Sequence, residues 1–139
     1  NFTPLVKMHT LGSSFMPPAT HSGGLRYHGM APLVSHLTDI GAIEAKAFGQ
    51  KECFEAGVKF ANSEGIVSAP EATHAVKGAI DAAIECKKNG KGKTILFNLC
   101  GHGHFDMQAY GDYFANKLSD DSYNEAAVNK ALEKLPKIA

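Results

Sequence analysis

Cys100, Gly101, His102, Gly103 and His104 form the densest run of chemically versatile residues in this chain. A thiol and two imidazoles bring groups that hold or move a proton, hydrogen bond to a ligand, or coordinate a metal. The two glycines let backbone amides come close to a bound molecule. Three readings of the loop stand side by side: a ligand-binding loop, a tight turn with polar tips, and a zinc site. One-residue spacing is atypical of a closed structural zinc site, and no second ligand pair of recognisable spacing accompanies it.

Glu71 follows Pro70 at the expected start of a helix. A carboxylate there is favoured by the positive end of the helix dipole, either as part of a cap or as a group held at a pocket rim. His74 lies one turn on and is read as structural. The stretch from His21 to Gly29 is rich in glycine and hydrogen-bonding side chains, and is a candidate loop for wrapping an anion or a cofactor edge. Gly90-Lys91-Gly92-Lys93-Thr94 ends like a phosphate-binding loop. Its context is reversed, since it follows a helix and opens a strand, so it is read as an exposed connection.

The elements that must position these residues follow from pattern. Residues 1–30 read as an extended loop region, broken by Pro4, Pro17 and Pro18. Pro32 and Gly41 bracket a short helix with Leu33, Leu37 and Ile40 on one face. Residues 42–48 alternate weakly and are read as a strand. A helix is expected over 50–63, with Phe54, Gly57, Val58 and Ala61 as its apolar stripe and Gly65 as its stop. A third helix is expected over 71–88, burying Ala72, Ala75, Val76, Ala79, Ile80, Ala83 and Ile84 and ending at Gly90. Thr94 to Leu99 is continuously apolar except for Asn98, and reads as a parallel strand covered on both faces. The 100–104 loop then sits at its carboxyl end, where open α/β sheets bind ligands. Residues 106–117 read as helical with a weak point at Gly111. A helix over 122–135 starts from a Ser122/Glu125 capping box. The class is α/β, a parallel sheet flanked by helices. The expected organisation is one unit over 1–139, with an α/β core at 31–118 and the C-terminal helix at 119–139.

Composition narrows the partners. Lys plus Arg, 14, equals Asp plus Glu, 14, so nothing in the charge suggests nucleic acid or an anionic membrane. Lys87, Lys88, Lys91 and Lys93 crowd one connection and are read as solvated. No apolar run reaches the roughly 18–20 residues of a membrane helix. The three cysteines, Cys53, Cys86 and Cys100, are scattered and odd in number, which argues against a disulfide framework. A reducing compartment is expected, the cytoplasm or a plastid in a photosynthetic eukaryote. The chain opens at Asn1 without a methionine, as expected of a processed, cleaved or partial chain.

Three stretches, in order, resemble one family. Gly23 to Leu33 reads GGLRYHGMAPL, Glu64 to Ala75 reads EGIVSAPEATHA, and Phe97 to Asp106 reads FNLCGHGHFD. Together they resemble the tryptophan synthase beta chains of the second type, and the similarity covers nearly the whole chain. The resemblance implies a fold-type-II pyridoxal-phosphate enzyme that joins L-serine to indole, giving L-tryptophan. It implies that Glu71, Cys100 and Gly101 face the cofactor, with Cys100 at the pyridine nitrogen as a weak neutral donor. Gly24, Arg26, Tyr27 and His28 would line the substrate side, and the backbone near Tyr27 and Gly29 would correspond to a monovalent-cation site. Arg26 replaces the aspartate common in type-1 chains. Ser68 stands where the family usually has proline.

The family's Schiff-base lysine, its indole-side glutamate and its glycine-rich phosphate cup all precede the matching stretches, and none of the lysines here lies in such a context. No catalytic residue is therefore assigned within these residues, and no metal ligand. The expectation is a C-terminal portion of a beta chain, inactive alone, which pairs with the missing N-terminal part, forms a homodimer and meets an alpha-type partner. Two other classes remain open: a non-catalytic α/β binding module, and a small metal-binding protein built on the Cys-Gly-His-Gly-His loop.

Overall fold

The computed structural model describes residues 5–120 and 124–136. These fall into two compact units. One comprises residues 5–19, 26–45 and 124–136, and the other residues 20–25 and 46–120.

In the first unit, Pro32–Asp39 forms α1, with Pro32 in the first turn as expected. Its expected apolar face is covered only at Leu37, which is half-buried, since Leu33 is 68% exposed and Ile40 61% exposed. Ser35 is the residue it buries; the hydroxyl accepts from His9 N–H at 3.1 Å and reaches back to Met30 O. Residues 9–11 and 28–30 pair antiparallel through Leu11 N–H to His28 O at 2.7 Å and Met30 N–H to His9 O at 2.9 Å. Gly12 turns with a φ of +81°, and its Cα lies so close to the backbone of Ala131 that a Cβ would stand 2.8 Å away. Ala131 belongs to the last helix, Glu125–Leu132. That helix is capped by Asn124, whose side chain accepts from Ala127 N–H at 3.1 Å. The expected Ser122 cap lies outside the described residues; the helix begins later than expected because Asn124 supplies the oxygen.

In the second unit, a 3-10 turn at Gly23–Leu25 precedes α2 (Gln50–Glu64), α3 (Pro70–Asn89) and α4 (Met107–Phe114). Helix α2 starts where the Glu52 carboxylate accepts from Gly49 N–H at 2.8 Å, and it stops at Gly65 in the left-handed region. Gly90 ends α3 in the same way. Residues 90–94 thus lead out of a helix, as their context indicated. Phe54 of α2 is the centre of the core. It meets Tyr110 edge-on at 5.0 Å and stacks on Tyr113 at 5.9 Å, with Leu118, Val58 and Val67 around it.

Three expectations need correction. Among the described residues no strand forms, neither over 42–48 nor over 94–99. A parallel strand needs neighbours to take its N–H and C=O groups, and these residues supply none for 94–99. Within the segment only Phe97 is half-buried. Phe97 turns in to meet Phe60 edge-on at 5.9 Å, while Leu96 is 96% exposed. The small-residue stripe of α3 is buried only in its first half, at Ala72 and Val76, whereas Ala83 and Ile84 are exposed. Thr73 stands against Gly57 and Lys77 against Glu52, so α3 runs antiparallel to α2 and its later turns lead past the first turn of α2 at Gln50.

Candidate functional site

The site is built around the N-terminus of α3. Ala69 is the residue before the helix, Pro70 opens it, and Glu71 lies in its first turn. The Glu71 carboxylate does not cap its own helix. It accepts from Gly24 N–H at 2.7 Å, a charge-assisted bond from the 3-10 turn. A side chain at Gly24 would press on this carboxylate, since a Cβ there would stand 3.0 Å from Glu71 Oε1 and 3.1 Å from its Cγ, and Glu71 would have to shift by a few tenths of an ångström.

A second segment meets the same place. Residues 67–69 and 101–103 pair antiparallel, with Gly103 N–H donating to Val67 O at 2.8 Å and Ala69 N–H donating to Gly101 O at 3.2 Å. Gly101 turns with a φ of +78°, and a Cβ on it would touch Ala69 Cβ at 3.2 Å. Gly103 is buried so tightly that a Cβ would lie 2.5 Å from Ser68 O. The pairing therefore sets Cys100 and Gly101 beside the residues that lead into Glu71. The Cys100 side chain is exposed.

Tyr110, which sequence reasoning did not single out, supports this pairing from below. Its buried hydroxyl donates to Ser68 O at 2.6 Å. Burial, and then the nearby Asp106 carboxylate, push its phenol up to about 12. The Ser68 hydroxyl is fully buried without a hydrogen-bond partner. Thr73 donates to Pro70 O at 2.6 Å, and His74 Nδ1 bonds the same carbonyl at 3.0 Å, which gives His74 the structural role expected of it. Cys53, in the core of α2, has its thiol pushed up to about 12, chiefly by burial.

The other candidates divide. Gly24, Glu71, Cys100 and Gly101 all belong to the second unit; Arg26, Tyr27 and His28 belong to the first. There Arg26 Nη2 donates to Pro17 O at 3.2 Å, His28 Nε2 bonds Phe15 O at 2.7 Å, and Tyr27 is exposed. His102 and His104 are exposed neighbours, their rings 4.6 Å apart, with Phe105 tilted against His102. Among the described residues no three His, Cys, Asp or Glu side chains converge to hold a metal ion, and Cys100, His102 and His104 are among those residues. No helix of the described residues is long and apolar enough to cross a membrane.

Comparison with known proteins agrees with the motifs. The chain is 58% identical over 116 residues to the tryptophan synthase beta chain 2 of Methanosarcina mazei, covering 84% of this chain and 26% of that protein. It is 58% identical over 118 residues to the beta chain 2 of Aquifex aeolicus and 52% identical over 119 residues to that of Thermococcus kodakarensis, in each case 27% of the relative's length. The chain thus spans about a quarter of the curated relatives it matches. No family model matches it.

Proposed function

We propose that this chain is the C-terminal part of a tryptophan synthase beta chain of the second type, and that the complete protein condenses L-serine with indole. The observation that carries this reading is the identity of 58% across 84% of the chain, with Glu71, Cys100 and Gly101 gathered at one helix start. Pyridoxal phosphate, when bound, would supply an electron-withdrawing ring that activates the amino-acid substrate.

The residues present fit one wall of such a site. Glu71 is a carboxylate fixed by a backbone N–H rather than left to swing. Gly101 carries no side chain that would keep a flat ring away, and Cys100 beside it offers an exposed thiol. A thiol is a weak neutral donor, so it would leave a ring nitrogen largely unprotonated. The residue that would attach the cofactor covalently is not among these residues, and a nucleophilic amine is required for that step. The wall therefore needs an upstream segment to complete it.

The same reasoning supplies the missing sheet. Within residues 94–99, Phe97 turns inward and its neighbour Leu96 outward, as successive side chains of a strand do. We infer that upstream residues pair with this segment and cover Leu96. The monovalent-cation site near Tyr27 and Gly29, the homodimer and the alpha-type partner belong to the same proposal and rest on the resemblance alone.

The test uses the chain completed by its own upstream residues. Cys100→Ser keeps a neutral donor and is expected to retain most tryptophan formation. Cys100→Asp would hold the ring nitrogen protonated through a charge-assisted bond and divert the enzyme to side reactions. A folded Cys100→Asp variant with unchanged product ratio would remove Cys100 from the cofactor's ring nitrogen.

A further inference from the structure

The pairing of residues 67–69 with 101–103 consists of two backbone hydrogen bonds. Alone, so short a ladder is open to fraying. Behind it stands one buried side-chain bond, from the Tyr110 hydroxyl to Ser68 O at 2.6 Å. Ser68 is the central residue of its strip, paired with His102. Its carbonyl is not used by the two ladder bonds, so the phenol is the donor that holds this strip from the core side.

The hydroxyl is itself tightly placed. The ring packs edge-on against Phe54. A Cβ on Gly57 of α2 would lie 2.9 Å from the Tyr110 oxygen and 2.6 Å from Thr73 Cγ2. Gly57 therefore leaves the space in which α3, α4 and the 67–69 strip meet. The sequence pattern marked Gly57 only as part of an apolar stripe.

We propose that Tyr110 is the positioning residue of the Cys100–Gly103 loop: its hydroxyl holds Ser68, Ser68 holds the pairing, and the pairing keeps Cys100 and Gly101 beside the start of α3. The relevance to the cofactor rests on the function proposed above; the mechanical role does not. Tyr110 lies in the core and acts through Ser68 and the 101–103 strip. It is not a catalytic residue.

Tyr110→Phe removes the hydroxyl and keeps the ring. In the completed chain without cofactor, hydrogen exchange at the Ala69 and Gly103 amides is expected to speed up about tenfold, as for loss of one buried bond. Exchange at Val58 and Ala61 within α2 stays unchanged. Pyridoxal-phosphate affinity, read from the cofactor's absorbance, falls by a similar factor. Unchanged exchange at Ala69 and Gly103, or an equal rise throughout α2, overturns the proposal. If the unsubstituted completed chain binds no pyridoxal phosphate, the functional reading fails, while the exchange result still decides the role of Tyr110. Should Tyr110→Phe not fold, Gly57→Ala displaces the hydroxyl while also pressing on Thr73; exchange at Ala69 and Gly103 is then expected to speed up more than at Val58 and Ala61, and an equal rise at all four, or no rise at Ala69 and Gly103, overturns the proposal.

Discussion

Replacing Gly103 by alanine is expected to be among the most damaging single-methyl changes in the chain. The new Cβ would stand 2.5 Å from Ser68 O, 2.8 Å from Val67 Cγ1 and 3.1 Å from Ser68 C. Two of these three are backbone atoms, so a rotamer change cannot relieve the clash. The 101–103 strip must move away from 67–69, which breaks Gly103 N–H to Val67 O and Ala69 N–H to Gly101 O. Two net hydrogen bonds are worth about 1 kcal/mol each, and residual overpacking adds about 1–3 kcal/mol. The expected loss is about 3–5 kcal/mol, a large share of the roughly 5–15 kcal/mol that holds a typical domain. The assay is urea unfolding followed by far-ultraviolet circular dichroism. Gly92→Ala is the control, since nothing lies within 4 Å of a Cβ there; it should change stability by no more than about 0.5 kcal/mol. A Gly103→Ala loss below about 1 kcal/mol, or one equal to the control, would refute the close approach on which the site's construction depends.

Ser68→Ala should stabilise the chain by about 1 kcal/mol, because it removes a fully buried hydroxyl that has no partner; a lowered thermal midpoint would contradict this. The Cys53 thiol rises from 9.0 to about 12 and the Tyr110 phenol from 10.0 to about 12 on folding. Above pH 9 the unfolded chain releases these protons first, so stability should be fully present below that pH and decline from there towards pH 12. A flat stability profile over that window, measured by denaturant titration, would argue against their burial. Leu96→Asp should leave this chain's own stability within about 0.5 kcal/mol, since the side chain is 96% exposed. The same change should prevent the completed chain from folding; a fully folded completed Leu96→Asp protein would show that Leu96 is not covered by upstream residues.

The helices were legible because their signals are local. Pro32 and Pro70 open helices, and Gly65 and Gly90 close them in the left-handed region. Phe54 and its stripe were legible for the same reason. The strand at 94–99 misled in a different way: its apolar pattern describes what it needs as neighbours, and those neighbours do not occur among the described residues. The second half of α3 misled likewise, its small apolar residues marking a face that this chain leaves open. At the site, the residue types of Glu71 and Cys100 pointed to chemistry, but only the fold could show that the carboxylate is read by Gly24 N–H. Tyr110 and Ser68 were invisible as a pair because 42 residues separate them, and no periodic pattern joins a phenol to one distant carbonyl.

The most direct measurement of the central claim compares tryptophan formation from L-serine and indole, with pyridoxal phosphate added, by this chain alone and by this chain fused to the preceding three quarters of the Aquifex aeolicus beta chain 2. The account predicts no turnover by the chain alone and steady tryptophan formation by the fusion. A fusion that folds and binds pyridoxal phosphate but makes no tryptophan, or steady turnover by the chain alone, would contradict it.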